Sequence, residues 1–303
     1  MVEELKIRNL TLNDECTMNM EDADYLLYEG GIDWGSLGVS HNTFQYSQQV
    51  GQSITNTVVG TRDISIGGWI IGKTLDEIKA KKKRLSAIVN PLNDVEVEQG
   101  KWKIKCRPAA NVVFSNSYVE NNDTVCKFLI QLFCPNPMFE SSTTYGKKLM
   151  QDEAMFKFPW VLPRTGIVMS TRQASSIVAI NNTGSAEVGC TITLQALGDV
   201  NNPEVVNLDT SEFIKIKKNL VYGEVITIKT AKGERSVVGH IGSAEDINYL
   251  DYFDFDNTWL QLPVGVSNIG YRTFDNEGNE DTTYKSLVVT IQYNLSTMNL
   301  EDE

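Results

Sequence analysis

Apolar and polar side chains alternate along most of this chain, and a period of two marks a strand with one buried face. Residues 5–10 set the pattern: Leu5 and Ile7 fall on one face, Lys6 and Arg8 on the other. Residues 62–71 repeat it, with Ile64, Ile66, Gly68 and Ile70 aligned. The pair Gly67-Gly68 inside that run signals a bulge or a close backbone approach. Further strands are expected at 94–98, 101–106, 111–118 and 125–133, with Gly100 and Asn121-Asn122-Asp123 supplying turns.

One stretch switches to helical spacing. Leu75, Ile78, Leu85, Ile88 and Val89 share a face. Thr74 is a good N-cap, and Glu77 three residues later completes a capping box. Asn90-Pro91 stops the chain, so a helix is expected over about 74–90. Its basic run, Lys79, Lys81, Lys82, Lys83 and Arg84, lies mostly on the other faces and reads as a solvated face or a subunit contact rather than a nucleic-acid grip. Residues 30–60 are rich in Gly, Ser, Gln and Asn and read as an extended arm or long loop, a length usually tied to function.

After Cys134-Pro135-Asn136-Pro137, the polar residues 140–153 look like a linker. Beyond it the pattern is nearly all short strands: 176–180, 188–195, 204–208, 213–216, 225–230, 236–240, 259–262 and 284–293. Turn signals recur between them at Asn182-Thr183-Gly184, Asn202-Pro203, Lys232-Gly233-Glu234 and Asn276-Glu277-Gly278-Asn279. Short strands at this spacing indicate a β-sandwich or jelly roll. The fold class expected is therefore mainly β with one helix. Residues 1–140 form a first β domain, 141–166 a linker and 167–303 a β-sandwich, and 303 residues fit two cores better than one.

Composition then narrows the function. Charged residues are 22% and the net charge is −12, which argues against binding nucleic acid through its phosphates. No apolar run reaches about 18 residues and no apolar signal core follows Met1, so the chain reads as soluble, made in the cytoplasm, with no membrane partner. The five cysteines, Cys16, Cys106, Cys126, Cys134 and Cys190, have no zinc-site spacing and read as buried thiols in a reducing compartment.

Catalytic, cofactor and metal residues are all expected to be none. Only His41 and His240 are available for acid–base work, and neither sits in a nucleophile motif. Neither GxGxxG nor GxxxxGK[ST] occurs. Asp251, Asp254 and Asp256, and the tip Asp275 to Asp281, offer hard oxygens for Ca²⁺, but without EF-hand spacing the first run reads as a strand edge or loop with packed aromatics and the second as a hairpin tip.

Several pieces, taken in order, resemble the distal tail proteins of tailed bacteriophages and phage tail-like particles. They are Ile66-Gly67-Gly68-Trp69-Ile70, the helix end Lys83-Arg84-Leu85-Ser86-Ala87-Ile88-Val89-Asn90-Pro91, and Phe133-Cys134-Pro135-Asn136-Pro137-Met138-Phe139. In the second half come Asn181-Asn182-Thr183-Gly184, Asn202-Pro203-Glu204-Val205-Val206-Asn207, Gly223-Glu224-Val225-Ile226-Thr227-Ile228 and Trp259-Leu260-Gln261-Leu262-Pro263. The resemblance implies a non-enzymatic subunit whose N-terminal domain builds a hexameric ring and whose galectin-like, jelly-roll C-terminal domain points outward. It implies a place at the virion tail tip. The partners would be other copies of the chain, the tail tube protein, a tail-tip hub protein, and receptor-binding or baseplate proteins. The alternative from a different class is a carbohydrate-binding module that stacks host cell-wall saccharide on aromatics such as Trp259 or Tyr271.

Overall fold

The computed structural model describes residues 4–21, 24–48, 50–149, 151–154, 170–173 and 177–300. Two compact units emerge: Met1–Ser142 with Thr297–Glu303, and Thr143–Ser296.

The first unit contains β1 (Leu5–Asn9), β2 (Asp14–Asn19), β3 (Tyr25–Asp33), β4 (Val39–Phe44), β5 (Ser53–Val59), β6 (Arg62–Ile71), α1 (Leu75–Ile88), β7 (Val95–Gln99), β8 (Trp102–Pro108), β9 (Val113–Phe114) and β10 (Val125–Cys134). It also holds the start of β11 (Phe139–Lys148). Seven strands run in the order β8-β7-β1-β2-β3-β6-β10, and β10 returns to β8 through Leu132 opposite Pro108 and Phe133 opposite Arg107. The sheet thus closes on itself as a barrel, which removes the free edges between those strands. Neighbours are antiparallel except β2 and β3, which run parallel.

The alternation read from the sequence is the cause of this layout. Leu5, Ile7, Val95, Val97, Ile104, Ile66 and Ile130 all point into one buried core. The outer positions of four successive strands alternate in charge: Lys103 and Lys105, then Glu98 and Glu96, then Lys6 and Arg8, then Glu15. Directly opposed unlike charges support the register.

Gly67 and Gly68 sit at a close approach. A Cβ on Gly67 would run into the Tyr28 hydroxyl, and one on Gly68 would meet the Leu26 carbonyl oxygen at 2.5 Å. The bulge lies opposite, in β3 between Leu27 and Ile32.

Helix α1 starts at the expected cap, with the Glu77 amide donating to Thr74 Oγ1 and the Glu77 carboxylate accepting from the Lys73 amide. Ile78, Leu85 and Ile88 are buried with the barrel residues, each worth about 2 kcal/mol. Asn9, fully buried on β1, donates to the Ile88 carbonyl at 2.8 Å and so satisfies a helix-end acceptor.

Cys106 and Cys134 are cross-strand neighbours one residue beyond the Phe133–Arg107 pair, with Cα atoms 4.3 Å apart, and form a disulfide. This corrects the expectation of five thiols. The two cysteines are 28 residues apart in sequence, and only the register of the closing seam brings them together. Cys16, Cys126 and Cys190 are buried thiols.

The second unit contains the rest of β11, then β12 (Gln151–Ala154), β13 (Ser170–Gln173), β14 (Ile177–Asn182), β15 (Val188–Gly189), β16 (Thr191–Ala196), β17 (Glu204–Asn207), β18 (Phe213–Lys215) and β19 (Glu224–Lys229). It continues with β20 (Ser236–Ile241), β21 (Ile247–Asn248), β22 (Gln261–Leu262), β23 (Gly265–Arg272) and β24 (Leu287–Thr297). One sheet runs β21-β20-β19-β16-β24, and a second runs β14-β23-β17-β18. Each buries one face, through Ile192, Leu194, Ile226, Ile228, Val289 and Ile291 on the first and Ile180, Val205, Ile214 and Ile269 on the second. That is a β-sandwich.

Several boundaries differ from the sequence reading. Residues 141–148 of the expected linker belong to β11, whose side chains from Ser142 to Lys148 are exposed and therefore mostly polar. Residues 155–166 lie outside the described residues. The last residues, 297–303, group with the first unit rather than the sandwich. Residues 30–60 carry strands, and the strand expected over 111–118 shrinks to β9.

Candidate assembly surface

The segment between β3 and β6 folds as a hairpin. β4 and β5 pair antiparallel from Val39 opposite Val59 to Phe44 opposite Ser53, with a bulge after Asn42. Every residue of both strands is exposed. Between Asp33 and Arg62 the chain carries no Asp, Glu, Lys or Arg, whereas charged residues make up 22% of the whole. Tyr46 is 66% and Ile54 60% exposed, and Phe44, Val58 and Val59 are exposed too.

The hairpin holds its own shape. Thr55 Oγ1 donates to the Asn42 carbonyl, His41 Nδ1 lies 3.0 Å from Thr57 Oγ1, and Phe44 meets Tyr46 edge to face at 4.3 Å. Its root is tied too: the Gly60 amide donates to the Gly38 carbonyl, and Gly35 takes φ +65° where a Cβ would run into the Asp63 carbonyl oxygen. A solvated hairpin ordinarily guards its apolar surface and free edges with charge. This one presents amides, hydroxyls and aliphatic and aromatic groups without charge, which suits burial against another protein surface.

The other sequence candidates are dispersed. His41 stands on the hairpin and His240 on β20 in the other unit, where its Nδ1 lies 3.2 Å from Asp246. The basic run on α1 is largely engaged within its own unit. Lys81 pairs with Asp24 and Glu77, Lys82 donates to Asn121, and Arg84 bonds Asp14 and the Glu15 carbonyl. The Arg84 guanidinium is the main cause that holds the Asp14 carboxyl below its ordinary value.

Asp251 lies in a 3₁₀ turn, Leu250–Tyr252, the loop rather than the strand-edge form of the two readings. Asp254 pairs with Lys217 at 2.9 Å, and Asp275 accepts the Asn279 and Glu277 amides of its own turn. Among the described residues no group of three or more His, Cys, Asp or Glu side chains is arranged to hold a metal ion. Trp259 is half-buried, stacked on Phe253 at 4.6 Å with the Arg235 guanidinium 5.4 Å from its ring. Tyr271 is buried, and burial pushes its phenol up to about 12.

The first unit is thus a closed barrel carrying a helix and an exposed, uncharged hairpin, and the second a β-sandwich. A model described as a phage tail protein RIFT-related domain matches residues 32–134, and one for the C-terminal domain of siphovirus-type tail components matches residues 183–294. Between them they take in both units, and the chain belongs to the distal tail protein family of siphovirus-type phages. No curated protein sequence matches it.

Among solved structures, the fold is similar to the Dit protein (gp 19.1) of phage SPP1, with a TM-score of 0.63 at 12% identity over 96% of this chain and 98% of that one. It is also similar to a chain of the phage P2 baseplate in its activated conformation with Ca, with a TM-score of 0.50 at 14% identity over 96% and 98%. The hairpin's neutrality was open to sequence reading as a charge-free interval, a signal that a tally of Gly, Ser, Gln and Asn passes over.

Proposed function

We propose that this chain is a non-enzymatic distal tail protein that assembles as a ring, hexameric as the family resemblance implies, at the tip of a phage tail. The first unit forms the ring, and β4–β5 is the arm that embraces the neighbouring copy. The ring joins the tail tube to the hub. The sandwich unit faces outward and anchors receptor-binding or baseplate proteins. One observation carries this reading: an exposed hairpin without charge, a two-stranded sheet of its own beside the closed strands of the barrel. A head-to-tail ring needs two different faces on one subunit, and an arm with its receiving surface meets that need.

The test replaces residues 39–59 with a short Gly-Ser turn. Purified wild-type protein, alone or co-expressed with tube and hub proteins, is measured by light scattering after size exclusion and imaged by negative stain. The expected result is rings of about six copies for the wild type and folded monomers for the variant. Rings that persist in the variant overturn the arm assignment. A wild type that remains monomeric even with tube and hub overturns the ring.

A further inference from the structure

We infer that Arg62 is the positioning residue of the arm, and that through it the arm's root depends on the C-terminal segment that re-enters the first unit.

Arg62 opens β6, directly after the arm, and is only 2% exposed. Its Nη1 donates to the carbonyls of Trp34 at 3.0 Å and Gly35 at 3.3 Å, where the chain leaves β3 for the arm. Its Nε donates to the Pro137 carbonyl at 2.9 Å, between β10 and β11. Its Nη2 donates to the carbonyl of Met298, the residue after β24. The guanidinium lies 4.6 Å from the centre of the Phe139 ring, which meets Trp34 edge to face at 5.4 Å. One side chain therefore holds both ends of the arm, the β10–β11 connection and the returning C-terminus.

The energetics make these contacts interdependent. A buried cation is costly unless its donors are met. Among the described residues no carboxylate pairs with Arg62; its acceptors are main-chain carbonyls, which stand in place only while their segments do. The planar fork reaches acceptors in three directions, which a lysine ammonium on one flexible stem does not reproduce. Loss of the Met298 carbonyl leaves Nη2 unmet, and the side chain then shifts toward other acceptors or water, loosening its hold on Trp34 and Gly35. Met298 directly follows the last strand of the sandwich unit. The coupling stands on these contacts; its relevance to ring closure rests on the ring reading above.

The experiment uses four chains: wild type, Arg62→Met, a chain ending at Thr297, and the double variant. Hydrogen exchange by mass spectrometry follows peptides covering 34–38 and 60–63, with α1 and β7 as internal controls, and light scattering follows ring content. Loss of one buried hydrogen bond corresponds to about a ten-fold change in a local opening equilibrium. Each single change is expected to speed exchange at the arm's root about ten-fold, with the controls unmoved, and the double variant is expected to exceed neither single. Arg62→Lys is expected to behave like Arg62→Met.

Additive effects, or a shortened chain whose root exchanges as in the wild type, overturn the inference. If Arg62→Met fails to fold, Arg62→Lys and the shortened chain decide together. Coupled exchange in a wild type that forms no ring removes the ring reading and leaves the positioning role. Rings without coupled exchange do the reverse.

Discussion

At the scale of single residues, buried polar groups mark where this molecule is most vulnerable. Glu224 is fully buried, and its charge is met by Lys218 Nζ at 2.6 Å and the Val221 amide. Removing one partner of such a pair strands a charge in the interior. Lys218→Met is therefore expected to cost about 3 kcal/mol in urea unfolding, and Glu224→Gln in the same background is expected to recover part of it.

Burial opposes ionisation of Asp281, but donors from Thr273, Asn201 and Thr283 outweigh it together and hold its carboxyl below the ordinary value. A depressed carboxyl stabilises the fold above its unfolded pKa, about 4, and that contribution is lost as pH falls through the folded value. Asp281→Asn is expected to flatten the acid limb below about pH 4 in a melting-temperature series. An unchanged limb would remove Asp281 from the account. Burial likewise pushes the Cys16 and Cys190 thiols up to about 12 and about 11. Both are expected to resist a thiol reagent at neutral pH in the native protein and to react at once in guanidinium.

The elements show where local rules were obeyed and where they were overridden. The helix was legible because its signals are local: a cap, a face of apolar residues and a stop. Thr74→Ala is expected to cost about 1 kcal/mol, read as a shift of the urea midpoint. The barrel seam has no such local signature. β8 and β10 meet through two residue pairs, and the disulfide beside them closes a loop of 28 residues in sequence separation. Loop-closure entropy of that size is worth about 3.6 kcal/mol. Reduction, or Cys134→Ala, is expected to lower the melting temperature without changing the far-ultraviolet spectrum. No shift on reduction would mean that the staple adds nothing to the seam. β11 was misread for a physical reason: seven of its ten residues are exposed, and an exposed strand is written in the same polar residues as a linker.

For the whole molecule the contrast lies between the charged barrel and the neutral arm. Side chains around β8, β7, β1 and β2 form unlike-charge neighbours, which salt screens. The arm has no charge to screen. Assembly carried by the arm is therefore expected to persist from about 0.1 to 1 M NaCl, a range over which screening shortens from about 10 to 3 Å. Rings that fall apart across that range would move the contact from the arm to the charged barrel face.

Strand periodicity, helix α1, the sandwich of the second half and the resemblance to distal tail proteins were all present in the sequence, because each depends on neighbours a few residues apart or on the order of short motifs. Closure of the barrel, the Cys106–Cys134 bond, the return of residues 297–303 to the first unit and the position of Arg62 were not. Those features join residues far apart along the chain, from 28 positions for the disulfide to 236 for Arg62 and Met298. A single sequence records which side chains want burial, but which distant segments satisfy them is decided only when strand register brings their carbonyls and thiols together.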